Sequence, residues 1–186
     1  MTAKAPKRKW MVKALREHLV PEFTKLGFEH IPVGKDEPRE FRSRNQLGYL
    51  QRRAKAGIER VEIAMSEAPR SSFSVSFGTN AYEGMTFHGV FRSAEELGVA
   101  EAPVLYSICY RPKNLFSEIW WVFYWPWQTP VYEDYVKLAQ RVATHVNEVE
   151  DLFRNGIVGP HIRGINLPNF DWIKVGRQES DPSESA

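Results

Sequence analysis

Few residues in this chain are of the kinds that carry chemistry, and their spacing decides what they could do. Five histidines stand far apart, at His18, His30, His88, His145 and His161. His18 lies beside the apolar stripe of a first helical segment and His145 beside that of a last one. If those helices pack side by side, the two rings could meet as a metal pair. A metal centre needs three or four converging ligands, so an ordinary polar helix position is the preferred reading of each. Glu59 and Glu62 share a strand but stand three apart. They face opposite sides and do not make an acid/base pair. The one cysteine, Cys109, alternates with apolar neighbours and reads as a small buried hydrophobe. A catalytic thiolate would need a nearby base that the sequence does not place. There is no phosphate-cradling glycine loop, no G-x-S-x-G nucleophile turn and no H-E-x-x-H zinc helix.

The most prominent polar feature is a basic set: Arg42, Arg44, Arg52, Arg53, Lys55 and Arg60, with Tyr49 among them. Clustered guanidinium groups bind phosphates or an acidic protein face, and Tyr49 could stack on a base. Residues 1–60 hold 15 Lys/Arg and 7 Asp/Glu, a net of +8, and residues 61–186 hold 10 and 16, a net of −6. The whole chain carries only +2, whereas nucleic-acid binders are usually strongly basic, so a solvated face is the plainer reading of this set. The Gly156–Gly164 loop, with His161 and Arg163, could hold an anion on backbone N–H groups, although such loops more often only turn.

The elements that must position these groups follow from periodicity. Met11, Leu15, Leu19, Phe23 and Leu26 form one helical stripe from about Trp10 to Leu26, with Pro21 expected to kink it and Gly27 to cap it. A strand is expected within Phe41 to Arg53, best at Tyr49-Leu50-Gln51. A second takes Ile58 to Met65, after a turn at Lys55-Ala56-Gly57. Phe73-Ser74-Val75-Ser76-Phe77 has the cleanest alternation in the chain and forms a third, after a turn at Ala68 to Ser71. Thr86 to Phe91 reads as a further strand, Ser93 to Glu96 as the start of a short helix, and Val104 to Tyr110 as a strand. Ile119 to Trp127 packs four of the six tryptophans into nine uncharged residues. It reads as a central strand pairing beside Val104 to Tyr110 and ended by Pro126, with most rings in the core and one or two at a pocket rim. A last helix is expected from Pro130, capped by Thr129, to the stop at Gly156, with Val131, Tyr135, Leu138, Val142, Val146, Val149 and Phe153 on its apolar stripe. The stretch after it, Ile157 to Pro168, reads as irregular and lying on the body across the sheet edge.

The expected architecture is α+β: an antiparallel sheet of about five to six strands with an N-terminal and a C-terminal helix packed on one face. Residues 1–9 read as a flexible basic lead, 10–175 as a single domain and 176–186 as a disordered tail. The lone cysteine and the lack of an apolar segment behind the basic start lead one to expect a cytoplasmic protein without a membrane span.

Several of these segments together resemble a family of small, mostly bacterial proteins known only as a domain of unknown function. The similar features are the leading helix Leu19-Val20-Pro21-Glu22-Phe23 through Leu26-Gly27-Phe28, an Arg-flanked strand at Phe41-Arg42, the Phe73 to Gly78 strand, a Trp-rich strand and a final amphipathic helix. The resemblance spans roughly Val12 to Phe153 and departs in Arg39–Arg53 and after Gly156. It brings no catalytic residues. Some proteins like it occur near toxin systems, which implies an immunity or partner-binding role.

The favoured expectation is a non-enzymatic binding module without cofactor or metal. Arg42, Arg44, Tyr49, Arg52, Arg53, Trp120, Trp125 and Trp127 would form a face for a protein partner or an anionic ligand. A nucleic-acid binder using the basic set is the alternative. An unrecognised enzyme is the third reading, and it requires three converging His or carboxylate side chains in a cleft.

Overall fold

The computed structural model describes residues 8–35, 39–66, 72–87, 90–109, 120–121 and 130–165. Trp125, Trp127, Pro126, Thr129, His88, the turn at Ala68 to Ser71 and the tail at 176–186 lie outside them.

The leading stripe folds as two helices, α1 (Arg8–His18) and α2 (Val20–Lys25). Pro21 has no N–H to offer the carbonyl four residues back, so the ladder breaks at Leu19 and restarts with Pro21 in the first turn of α2. The apolar stripe survives the break, because Met11, Ala14, Leu15, Leu19 and Phe23 are all buried. Gly27, at φ 86°, closes α2 and turns the chain into strand β1 (Glu29–Ile31). The segment expected as an Arg-flanked strand is instead a short helix, α3 (Arg39–Arg44), so Arg42 and Arg44 stand on a helix. Strands β2 (Tyr49–Ala54), β3 (Gly57–Met65) and β4 (Ser72–Asn80) then form the expected antiparallel meander.

Beyond β4, a small separate hairpin is made by β5 (Met85–Phe87) and β6 (Val90–Arg92), where one strand was expected. Ser93 does not start a helix. Its N–H and its hydroxyl both donate to Glu96 Oε2 at 2.9 Å in a turn, and a single 3₁₀ turn follows at Val99–Glu101. This segment crosses close over the sheet at Gly78, where a β-carbon would sit 2.6 Å from Ala102 Cβ and 2.8 Å from the Val104 carbonyl oxygen.

Strand β7 (Leu105–Ile108) pairs with β4 through Ser76 and Phe77. The described part of the aromatic run, β8 (Trp120–Trp121), also pairs with β4, through Ser72 and Phe73. It therefore lies end to end with β7 along one strand, not beside β7. The last helix divides into α4 (Tyr132–Ala143) and α5 (Val146–Asn155). Thr144 donates its hydroxyl back to the Arg141 carbonyl at 2.8 Å, which diverts the backbone for two residues. The helix starts two residues later than Pro130, at Tyr132: Asp134 accepts the Val131 N–H at 2.9 Å, and Pro130 stands just ahead of the cap. Gly156, at φ 67°, stops α5. Part of the stretch expected as irregular is a strand, β9 (Ile162–Ile165), paired with β7 at the sheet edge.

The sheet order is β1-β2-β3-β4-β7-β9, antiparallel throughout, with β8 on the other end of β4. The helices cover one face, an α+β architecture. Val61, Ile63, Phe73, Val75, Phe77, Ile108 and Trp120 meet Met11, Leu15, Phe23, Tyr135, Val142 and Val149 in one core. Each such fully buried large side chain contributes about 1.5–3 kcal/mol relative to exposure. Among the described residues no helix is long and apolar enough to cross a membrane.

Candidate functional site

The basic set does not fold into one patch. Successive strand residues point to opposite faces, and β2 sends Arg52 to the helix side and Arg53 to the other. Arg52 is enclosed. Its Nε donates to Glu59 Oε2 at 2.5 Å, Nη2 meets Glu150 Oε2 at 2.7 Å, and Nη1 donates to the Leu26 carbonyl at 2.6 Å. The guanidinium also lies 4.5 Å from the Phe28 ring centre. Burial alone would lower its pKa, but the bonds to Glu150 and Glu59 outweigh it and the value rises. Arg60 is buried on the opposite face and donates to the Glu95 carbonyl at 2.6 Å and to Gln51 Oε1 at 3.3 Å. Arg53 is exposed and pairs with Glu95 at 3.1 Å. Arg42, Arg44 and Lys55 are exposed on α3 and in the β2–β3 turn. Trp120 is fully buried on the helix side, with its indole N–H donated to the Ile108 carbonyl at 3.0 Å, so it belongs to the core and not to a rim.

The strand register assembles two other groupings. The first is a polar row across the face away from the helices. Tyr49 stands opposite Glu62, Glu62 opposite Ser76, Ser76 opposite Ser107, and Ser107 opposite Arg163. Opposed residues of antiparallel strands share a face. Five strands at their usual spacing make this row roughly 19 Å long. The Ser76 and Ser107 hydroxyls are 3.2 Å apart. A solvent-facing antiparallel sheet is expected to be polar, but this row is withdrawn from water: Ser107 is 1% exposed, and Tyr49, Glu62, Ser76 and Arg163 are half-buried. Desolvation pushes the Glu62 carboxyl above its ordinary pKa, opposed by the nearby Arg44 charge. Tyr49, from the basic set, thus has a place in this row.

The second grouping lies on the helix side, where α4 gives way to α5. His145 is the N-cap position of α5, and Glu148 is three residues into it. Gly156 reverses the chain so that His161, just before β9, returns to Glu148. His145 Nδ1 lies 3.0 Å and His161 Nδ1 2.8 Å from the same oxygen, Glu148 Oε1. The other oxygen, Oε2, accepts the His161 backbone N–H at 2.8 Å. The two imidazole rings are 3.8 Å apart, and their side chains are 15% and 24% exposed, against 19% for Glu148. Burial lowers the His145 pKa, helped by His161 and opposed by Glu148. Burial would raise that of Glu148, but the bonds from the His161 amide and the two rings outweigh it and hold the carboxylate ionised.

His18 and His145 were a possible pair only if the first and last helices packed side by side, with a polar helix position the preferred reading of each. His145 turns instead to Glu148 and His161. His18 lines a shallow groove with Glu17, Glu22, Lys25, Gln140 and Thr144. The His-x-x-Glu spacing at 145–148 is visible in the sequence, since it sets two side chains on one helix face. The third member, thirteen residues on, depends on the chain reversal at Gly156.

The fold and these two groupings define an α+β protein with a helix-covered antiparallel sheet and, on its opposite face, a polar row beside the part that the segment through Ala102 crosses. No family model, curated protein or solved structure matches the chain.

Proposed function

We propose that this protein is a non-enzymatic binding module that takes an anionic partner on the sheet face away from its helices; His145, Glu148 and His161 converge as the enzyme reading requires but do not line the groove beside His18. The observation that carries this reading is the register-aligned row Tyr49, Glu62, Ser76, Ser107 and Arg163. Three hydroxyls and the Glu62 carboxyl, whose pKa burial raises, end in a guanidinium and are partly shielded from water, so their hydrogen bonds strengthen on desolvation. Arg53 and Arg60 share this face by register but are already bonded to Glu95; its other cations are Arg163, at the end of the row, and Arg44, close to Glu62. Their sign favours an acidic surface or a carboxylate- or phosphate-bearing ligand. An immunity-type role, with an acidic protein as the partner, is one version, in keeping with the resemblance to small bacterial domains. The nucleic-acid alternative is weakened, because Arg52 is already committed to Glu59 and Glu150.

The test is recovery of partners from the source cell on immobilised protein, with and without nuclease and at two salt concentrations, for wild type, Ser76→Glu and Arg163→Glu. A carboxylate added at either position should repel an anionic partner and abolish its stoichiometric recovery. Retention by both variants would sink the assignment of this face. Recovery of nucleic acid that vanishes on nuclease treatment would move the reading to the exposed arginines of α3.

A further inference from the structure

We infer that His145, Glu148 and His161 form a binding site for a divalent transition-metal ion of the zinc class. The donor atoms that the three residues offer lie within 4.8 Å of one another. Two imidazoles and one carboxylate suit zinc and its borderline neighbours, and do not suit the all-oxygen preference of magnesium or calcium. A tetrahedral ion with bonds of about 2.0–2.2 Å sets its ligands roughly 3.3–3.5 Å apart. The two His–Glu edges here are 3.0 and 2.8 Å, so each would open by about 0.3–0.7 Å to seat the ion, with the His–His edge, within 4.8 Å, adjusting to match. Three protein donors leave a fourth position for water or another ligand.

The surroundings hold the carboxylate in the required pose. Glu148 directs Oε1 at both imidazoles while Oε2 is fixed by the His161 amide, an orienting contact of the kind that tunes metal ligands. Gly159 makes room for this pose: a β-carbon there would lie 2.3 Å from Glu148 Oε2 and 2.8 Å from its Cβ and Cγ. The three ligands come from a helix start and the lead into a strand, and the adjoining backbone is tied down by the Cys109 N–H bond to the His161 carbonyl at 2.7 Å. The competing account is a helix cap in which Glu148 merely gathers two imidazoles.

The experiment separates the two. Full-length protein, dialysed against a chelator, is titrated with Zn²⁺ by calorimetry and with Co²⁺ by visible absorption. Saturable binding of one ion per chain is expected. Glu148→Gln and His161→Gln should each weaken it by more than the roughly 10–100-fold that changes around a metal's ligands typically cost. His18→Gln should leave it unchanged. Should the variants fail to fold, wild-type protein decides alone. Zinc should shield His145 and His161 from diethylpyrocarbonate, mapped by mass spectrometry, and leave His18 and His30 reactive. Absence of saturable binding overturns the proposal and leaves the helix cap. So does unchanged affinity in both ligand variants, or protection of other histidines instead.

Discussion

Glu148 and Glu150 stand two residues apart on α5, yet they are neutralised in opposite ways. Glu150 is 9% exposed and faces Arg52 at 2.7 Å, with Arg154 as a second partner. Arg52 in turn reaches Glu59 on β3, so one permanent cation joins α5 to the middle of the sheet. Guanidinium does not titrate in proteins, and its fork fits carboxylates closely, so Arg52 itself stays a cation under all ordinary conditions. Glu148 is held by two imidazoles and a backbone N–H. Imidazole can lose its charge and offer a lone pair. The difference teaches that similar acidic residues on one helix can serve a fixed brace and an exchangeable ligand set, depending on which bases the fold delivers to them.

The largest way to break this comparison is Arg52→Met, which keeps the apolar stem and removes the charge. Glu59 and Glu150 would be left buried without their shared cation, at an expected cost of about 3–5 kcal/mol. Urea unfolding checks this, and a loss below about 1 kcal/mol would show that the brace behaves like a surface ion pair. On the Glu148 side, Gly159→Ala forces the carboxylate aside while leaving both imidazoles intact. It should cost about 1–3 kcal/mol from overpacking. Zinc affinity should fall in parallel, and a variant with unchanged stability and metal binding would remove Gly159 from the account.

The smallest effect has the opposite sign and sharpens the comparison with a third carboxylate. Glu62 stands on the other face, and burial holds its native pKa above the ordinary value. The native state therefore binds the proton more tightly than the unfolded chain. Stability from this group is present in acid and is lost as pH rises from the ordinary carboxylate range through the raised native value. Glu62→Gln should thus be more stable than wild type at neutral pH, by under about 1 kcal/mol, with the gain vanishing in mild acid. Thermal melts across pH test this. A variant less stable at neutral pH would mean that Arg44 and the row hold Glu62 as an ion after all.

Much of the fold was legible because it rests on local periodicity. The alternation of Phe73, Val75 and Phe77 and the stripe from Met11 to Phe23 each mark a face that must be buried, whatever covers it. The breaks at Leu19 and Thr144 were less legible, since an apolar stripe continues across a two-residue interruption. Phe41-Arg42, expected as part of a strand, lies in the helix Arg39–Arg44, because a six-residue helix is set by its surroundings more than by propensity. The register that aligns Tyr49, Glu62, Ser76, Ser107 and Arg163 has no signature in order along the chain, because the residues are drawn from five separate strands.

By itself, then, the amino-acid order determined the class of architecture, the apolar faces and the stops at Gly27 and Gly156, since each depends on neighbours within a turn or two. It also determined which polar residues exist. Only the tertiary structure decided their company. Pleating split Arg52 from Arg53 across the sheet, β4 received both β7 and β8, and the reversal after α5 brought His161 to His145 and Glu148. Those outcomes depend on contacts between residues distant in the chain, where charge and hydrogen bonding are settled by what burial leaves within reach.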